Sequence, residues 1–250
     1  MESPIAFVAS ISGNMTAFEA ILESIHLEDI RDIVCLGNVF GVYPWPKECI
    51  QLAIKNCMNI IGQREGSIYE GCKNGSLLKN ASTVLFYKSV DLAEKLIVDY
   101  RNQATKTLTI ENMMVCHKIS ENEKKYTILD PMNPKTFLVE DISKIDQDFF
   151  VSITKDDRRM LSPLPEIQIE GIRPNKTFVG APHCTSLLRK EHRKRKGKLI
   201  AFYTIVSREK IEVVEVEYEA KDIIDEVKRR DFWWEIDIQK FEEYVYSDII

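Results

Sequence analysis

Ile5-Ala6-Phe7-Val8-Ala9 is an unbroken apolar run with no polar alternation. A strand that shows one face to water alternates, so a continuous run of this length reads as a strand covered on both faces. Ser10-Ile11-Ser12-Gly13-Asn14 follows as a polar turn, with Asn14 placed to cap a helix. Met15, Phe18, Ile21, Leu22 and Ile25 then recur at helical spacing, and Ile33-Val34-Cys35-Leu36 is a second apolar run. Strand, helix and strand in so short a span make a βαβ unit, which commits the chain to an α/β fold with parallel strands.

The pattern continues. Residues 37–45 read as a loop. Pro46 stands as the first residue of a helix running through Ile50, Ala53 and Ile54. Further strands are expected at Asn59-Ile60-Ile61, Asn112 to Cys116 and Tyr126 to Leu129, and again from Thr177. Thr83 to Tyr87 is consistent with strand or helix, Asp91 to Tyr100 reads as helix, and a weak helical pattern lies near Leu138 to Phe149. Leu199 to Val206 and Ile211 to Tyr218 read as paired strands. Ala220 to Arg230 and Asp237 to Tyr246 read as closing amphipathic helices. Without internal repeats or low-complexity linkers, 1–250 is expected to be one domain, with a divergent, proline-bearing insertion at about 130–175 and closing helices at about 220–250.

Composition narrows the function classes. Of 250 residues, 44% are hydrophobic and 29% charged, enough for a sizeable core. The net charge of −5 does not suggest a protein built around nucleic acid. Apolar runs are of strand length, so no membrane span is expected, and the acid at Glu2 argues against a secretory signal. Cys35, Cys49, Cys57, Cys72, Cys116 and Cys184 form no Cys-x-x-Cys pair, as expected for reduced thiols in a cytoplasmic protein.

Ligands of open α/β sheets sit in the turns after the strand carboxyl ends. Those turns are Ser10-Ile11-Ser12, Gly37-Asn38, Gly62-Gln63-Arg64-Glu65, Cys116-His117 and Gly180-Ala181-Pro182-His183. Together with the spacing through Gly41, Pro44, Trp45 and Pro46, they resemble the small prokaryotic phosphodiesterases of the calcineurin-like metallophosphoesterase superfamily. The resemblance is strongest over residues 5–70 and continues at 112–117 and 177–184. It implies a two-sheet αββα sandwich with helices outside. It also implies a two-metal site built from Asp-x-His, Gly-Asp-x-x-Gly, Gly-Asn-His-Asp, a later His and Gly-His-x-His.

Here the residues depart from that pattern. The family's first Asp and His are Ser10 and Ser12, the metal-bridging Asp is Asn38, the Asn-His pair is Gln63-Arg64, and the first His of the last motif is Ala181. Two ligand positions persist, His117 and His183. Two-metal hydrolysis needs several carboxylate and imidazole ligands, one of them shared, so the expectation is no cofactor, or at most one divalent ion. The function expected is a non-catalytic pseudo-phosphoesterase serving as a ligand-binding or protein-interaction module. The alternative is a metal-dependent phosphoesterase or phosphodiesterase with a depleted, mononuclear site.

The individual residues carry alternatives of their own. His117 and His183 are either residual ligands or hydrogen-bonded core histidines, and Cys116 and Cys184 beside them make a zinc site conceivable. Ser10, Ser12, Asn14, Asn38 and Arg64 are candidates for a metal-free anion site at a helix start, with a phosphate-containing or other anionic small molecule as ligand. The plainer reading of Arg64 is an ion pair with Glu65. Arg189, Lys190, Arg193, Lys194, Arg195, Lys196 and Lys198 form a +6 block with Glu191, suited to nucleic acid or to a solvated hairpin. Phe232-Trp233-Trp234 fits either a protein partner or packing of the closing helices.

Overall fold

The computed structural model describes residues 3–62, 65–66, 88, 95–105, 107–110, 113–116, 127–130, 133–138, 149–152, 158–162, 177–182, 184, 192–207 and 211–247. Its first half opens as the sequence predicts: β1 (Ile5–Val8), α1 (Met15–Leu27), β2 (Asp32–Cys35), α2 (Pro46–Asn56) and β3 (Met58–Asn59). A helix α3 covers 95–103. Strands β4 (Thr107–Ile110) through β10 (Thr177–Pro182) follow, with β5 at Met113–Cys116, β6 at Thr127–Asp130, β7 at Asn133–Leu138, β8 at Phe149–Ser152 and β9 at Arg158–Ser162. The chain then runs through β11 (Arg193–Arg195), β12 (Lys198–Val206), β13 (Ile211–Glu219), α4 (Ala220–Arg229) and α5 (Glu235–Tyr246).

The main sheet has six strands in the order β11-β12-β1-β2-β3, with β13 on the other edge of β12. Its β1, β2 and β3 are parallel, as the βαβ reading requires, while β12 runs antiparallel to β1. Ala6, Val8, Cys35, Leu199, Ala201, Tyr203 and Ile205 share a core with Phe18, Ile21 and Ile25 of α1. Burying each of those large side chains contributes about 1.5–3 kcal/mol. Phe7, Val34, Phe202 and Val206 of the opposite face are equally buried, so the unbroken apolar runs are explained by cover on both sides.

The middle of the chain supplies the other strands: β10, β9, β6 and β7 pair in that order, and β4, β5 and β8 in another. The expected helix near Leu138 to Phe149 falls at 139–148, outside the described residues; Leu138 ends β7 and Phe149 opens β8. The stretch at about 130–175 therefore contributes β7, β8 and β9 to these sheets. Thr83 to Tyr87 lies outside the described residues. No helix among the described residues is long and apolar enough to cross a membrane.

The C-terminal helices grip the β2–α2 loop. Arg230 Nη1 donates to the Pro44 carbonyl at 2.7 Å and Nη2 to Glu48 Oε1 at 2.8 Å. Trp233 Nε1 donates to the Val42 carbonyl at 2.5 Å.

Candidate functional site

The turns after β1 and β2 have an unusual backbone. Ser10, Ser12 and Asn38 take φ values of 52°, 58° and 57°, and Gly13 and Gly37 take 84° and 92°. Left-handed backbone is uncommon for any residue with a side chain, costs of order 1–3 kcal/mol each when held there, and clusters at functional sites. Hydrogen bonds between the two turns hold it. The amides of Ser10, Ser12 and Gly13 donate to the carbonyls of Gly37, Asn38 and Val39 at 3.0, 2.8 and 2.7 Å. Tyr43 and Trp45 then donate back to Ser12 and Gly13 at 3.0 and 3.1 Å.

The third turn locks against the second through two glycines. A Cβ on Gly37 would stand 2.3 Å from the Gly62 amide nitrogen, and a Cβ on Gly62 would stand 2.2 Å from Glu65 Oε2. That approach delivers Glu65, only 1% exposed, to the second turn. Its Oε2 accepts from the Asn38 amide at 2.9 Å and its Oε1 from the Val39 amide at 2.5 Å. Sequence reasoning offered Glu65 only as a partner for Arg64 and missed this double acceptor. Glu65 stands in a strand-end turn that the sequence marks, but nothing local pairs it with the amides of another turn.

Ser10, Ser12 and Asn38 come together, all buried. Asn38 Nδ2 donates to Ser10 Oγ at 3.4 Å. Asn14 is also buried but serves the scaffold. Its Oδ1 caps α1 by accepting from the Ala17 amide at 3.1 Å, and its Nδ2 donates to the Tyr218 hydroxyl at 3.2 Å. The Ser12, Gly13 and Asn14 amides donate to carbonyls within the protein. Arg64, His117 and His183 lie outside the described residues, as do Arg189 and Lys190 of the basic block.

Beneath these turns the titratable groups are held neutral. Burial pushes the Cys35 thiol up to about 12, and the charge of Glu65 adds to the effect. Tyr100, whose hydroxyl donates to the Ile60 carbonyl at 3.2 Å, is raised well above its ordinary value, first by burial and then by Cys35 and Glu65. Burial likewise raises Cys49, Cys57 and Cys184. All four thiols are free and none is a nucleophile at neutral pH. Cys184 packs in the core, while its amide donates to the Ala9 carbonyl at 2.7 Å.

No family model matches the chain. An uncharacterized protein of Methanocaldococcus jannaschii, MJ0912, is 33% identical over 66 residues, 26% of this chain and 27% of that protein. The match thus spans about a quarter of the relative's length. Two crystal structures align over nearly everything. A metallophosphoesterase from Sphaerobacter thermophilus gives a TM-score of 0.58 at 15% identity, covering 97% of this chain and 99% of its own. The hypothetical protein PH1004 from Pyrococcus horikoshii OT3 gives 0.59 at 20% identity, covering 95% and 97%. The chain has the metallophosphoesterase fold.

A metallophosphoesterase fold raises the question of metals, and the described turns do not fit a metal pair. Ser10, Ser12 and Asn38 offer neutral oxygens, and the Asn38 carboxamide turns an N–H toward Ser10. Both oxygens of Glu65 accept from backbone amides. Among the described residues no three His, Cys, Asp or Glu side chains group as metal ligands.

The described part of the basic block is a hairpin, β11 and β12 joined at Lys196-Gly197. Its charges meet a row of glutamates on β13. Lys194 pairs with Glu215 at 3.2 Å, Arg195 with Glu217 at 3.6 Å, and Lys198 with Glu219. Arg193 Nη1 donates to the Tyr244 carbonyl at 2.6 Å and to Ser247 Oγ at 2.8 Å, tying the hairpin to α5. Phe232 and Trp233 of the aromatic cluster are buried, whereas Trp234 is 49% exposed.

Proposed function

We propose that this metallophosphoesterase-fold protein is non-catalytic, a pseudo-phosphoesterase whose strand-end turns serve as a ligand-binding or protein-interaction module. The observation that carries the reading is the Asn38–Ser10 hydrogen bond. Two neutral side chains satisfy one another where a metal-bridging carboxylate would have to stand. The ligand class is a phosphate-containing or other small anion, received by Ser10, Ser12 and Asn38 with Arg64. Free, scattered thiols support a reducing, cytoplasmic setting.

Elemental analysis after manganese loading tests this: well under two ions per chain is expected, with negligible hydrolysis of aryl phosphoesters and phosphodiesters. Asn38→Asp alone should not restore turnover, because ligands that act as a unit fail as a unit. Calorimetry with inorganic phosphate, comparing the natural chain with Arg64→Ala, tests the anion. Equal affinity, or two tightly held ions, sinks the proposal.

The retained left-handed backbone at Ser10, Ser12 and Asn38 favours a second reading, a phosphoesterase with a depleted metal site using His117 and His183. Metal-dependent turnover abolished by His117→Ala would establish it. Nucleic-acid binding through the basic block is the third reading. The glutamate row opposite Lys194, Arg195 and Lys198 offsets much of that charge, and a salt-dependent gel shift decides it.

A further inference from the structure

Helix α4 is fastened at both ends to the chain that shapes the strand-end turns. Just before it, the Tyr218 hydroxyl accepts from Asn14 Nδ2 at 3.2 Å. Just after it, Arg230 Nη1 donates to the Pro44 carbonyl at 2.7 Å and Trp233 Nε1 to the Val42 carbonyl at 2.5 Å. Those two carbonyls flank Tyr43, whose ring centre lies 6.0 Å from that of Trp233. Tyr43 and Trp233 are both buried. The apolar face of α4, with Ile223, Ile224 and Val227 buried, supplies its docking energy. The polar bonds at its ends supply direction, because each requires one donor to meet one acceptor.

The gripped loop in turn meets the turn after β1. The Tyr43 amide donates to the Ser12 carbonyl at 3.0 Å, and the Trp45 amide to the Gly13 carbonyl at 3.1 Å. A Cβ on Gly13 would stand 2.7 Å from the Tyr43 carbonyl oxygen, so the two backbones lie against each other. Ser12 holds a φ of 58°. A left-handed serine persists where its surroundings over-determine it. Here they do so from both ends of α4, through Asn14 on one side and through Tyr43 and Trp45 on the other.

We infer that Arg230 and Trp233 are positioning residues. Through residues 42–45 they set the backbone of Ser12, and with it the place of the hydroxyl that the proposed ligand site presents. The effect on a ligand rests on that proposed site; the effect on the backbone stands apart from it.

Hydrogen exchange and phosphate calorimetry on the full chain test the two effects separately. Trp233→Phe keeps an aromatic ring and removes the Nε1 donor. Arg230→Lys keeps the charge and removes the planar fork that reaches both Pro44 and Glu48. In each variant a buried carbonyl loses its donor, so exchange at the Ser12, Gly13, Tyr43 and Trp45 amides should quicken about tenfold more than at Leu36. The Leu36 amide, bonded to the Val8 carbonyl at 2.8 Å between β1 and β2, reports opening of the whole molecule. Inorganic phosphate should bind both variants several-fold more weakly than the natural chain. Lys228→Gln, which loses an ion pair with Glu242 on the same helix, should change neither the exchange nor the affinity. Exchange that rises only in step with Leu36, or does not rise, overturns the inference, since the corner is then ordinary packing. Selectively loosened amides with phosphate bound as tightly as before also overturn it. Selectively loosened amides in a chain that binds no phosphate in its natural form support the positioning of the backbone and sink the ligand site instead, so the two failures are told apart.

Discussion

Removing the acceptor at Glu65 should be among the most damaging single changes at the strand-end turns. The carboxylate is 1% exposed and accepts from the Asn38 and Val39 amides at 2.9 and 2.5 Å. In Glu65→Ala both amides lose their partner in a site closed to water. An unsatisfied buried donor costs roughly 1–3 kcal/mol, so the pair costs about 2–6 kcal/mol, with about 4 as the central expectation. Glu65→Gln is the sharper test. Its carbonyl oxygen serves one amide while its NH2 confronts the other, donor against donor, for a loss of about 2–4 kcal/mol. The opposing effect is relief of a buried charge, which favours the glutamine. The two short bonds are the reason to expect that relief to be outweighed. Urea denaturation gives the free energies directly, and a chain of this size should lose about 2–4 °C in Tm per kcal/mol. Glu215→Gln, in an exposed pair with Lys194, should change stability by less than about 0.5 kcal/mol. A Glu65→Ala cost below about 1 kcal/mol, or a Glu65→Gln protein more stable than the natural one, would refute the reasoning.

Three further outcomes are expected. Gly62→Ala should unfold or strongly destabilise the protein, since its Cβ would meet Glu65 Oε2 at 2.2 Å and the Asn38 amide at 2.3 Å; near-native melting would contradict that packing. Asn14→Ala should cost about 1–2 kcal/mol for the lost cap, whereas Asn14→Ser should keep a capping oxygen and lose the bond to Tyr218, a difference that thermal denaturation resolves. Cys35 should resist alkylation at pH 8 in the folded protein and react after unfolding. Because its folded value is raised to about 12 from 9.0, its contribution to stability is fully present below about pH 9 and is lost as pH rises toward 12. Rapid labelling of native Cys35 would contradict this.

What could be read from the sequence was whatever is decided locally. The run at Ile5 to Val8, the cap at Asn14 and the proline opening α2 each carry their own physical signature, and all stand where expected. The turns followed, because a strand that ends in polar residues and glycine announces its site. The role of Glu65 was hidden because its partners are two amides from a different turn. The bond of Asn14 to Tyr218 likewise joins ends of the chain that no local pattern connects.

The position of β1 has a consequence for how the molecule assembles. Ile5 faces Asp32 on one side and Val206 on the other. During synthesis the first neighbour exists almost at once, but the second is made about two hundred residues later, roughly 10–40 s at ribosomal speed. Throughout that interval one edge of the earliest strand lacks its native partner, with apolar side chains on both of its faces. Closure by so distant a strand also makes refolding slow for the molecule's size. The strand that organises the strand-end turns is therefore the one most exposed to mispairing before the chain is complete.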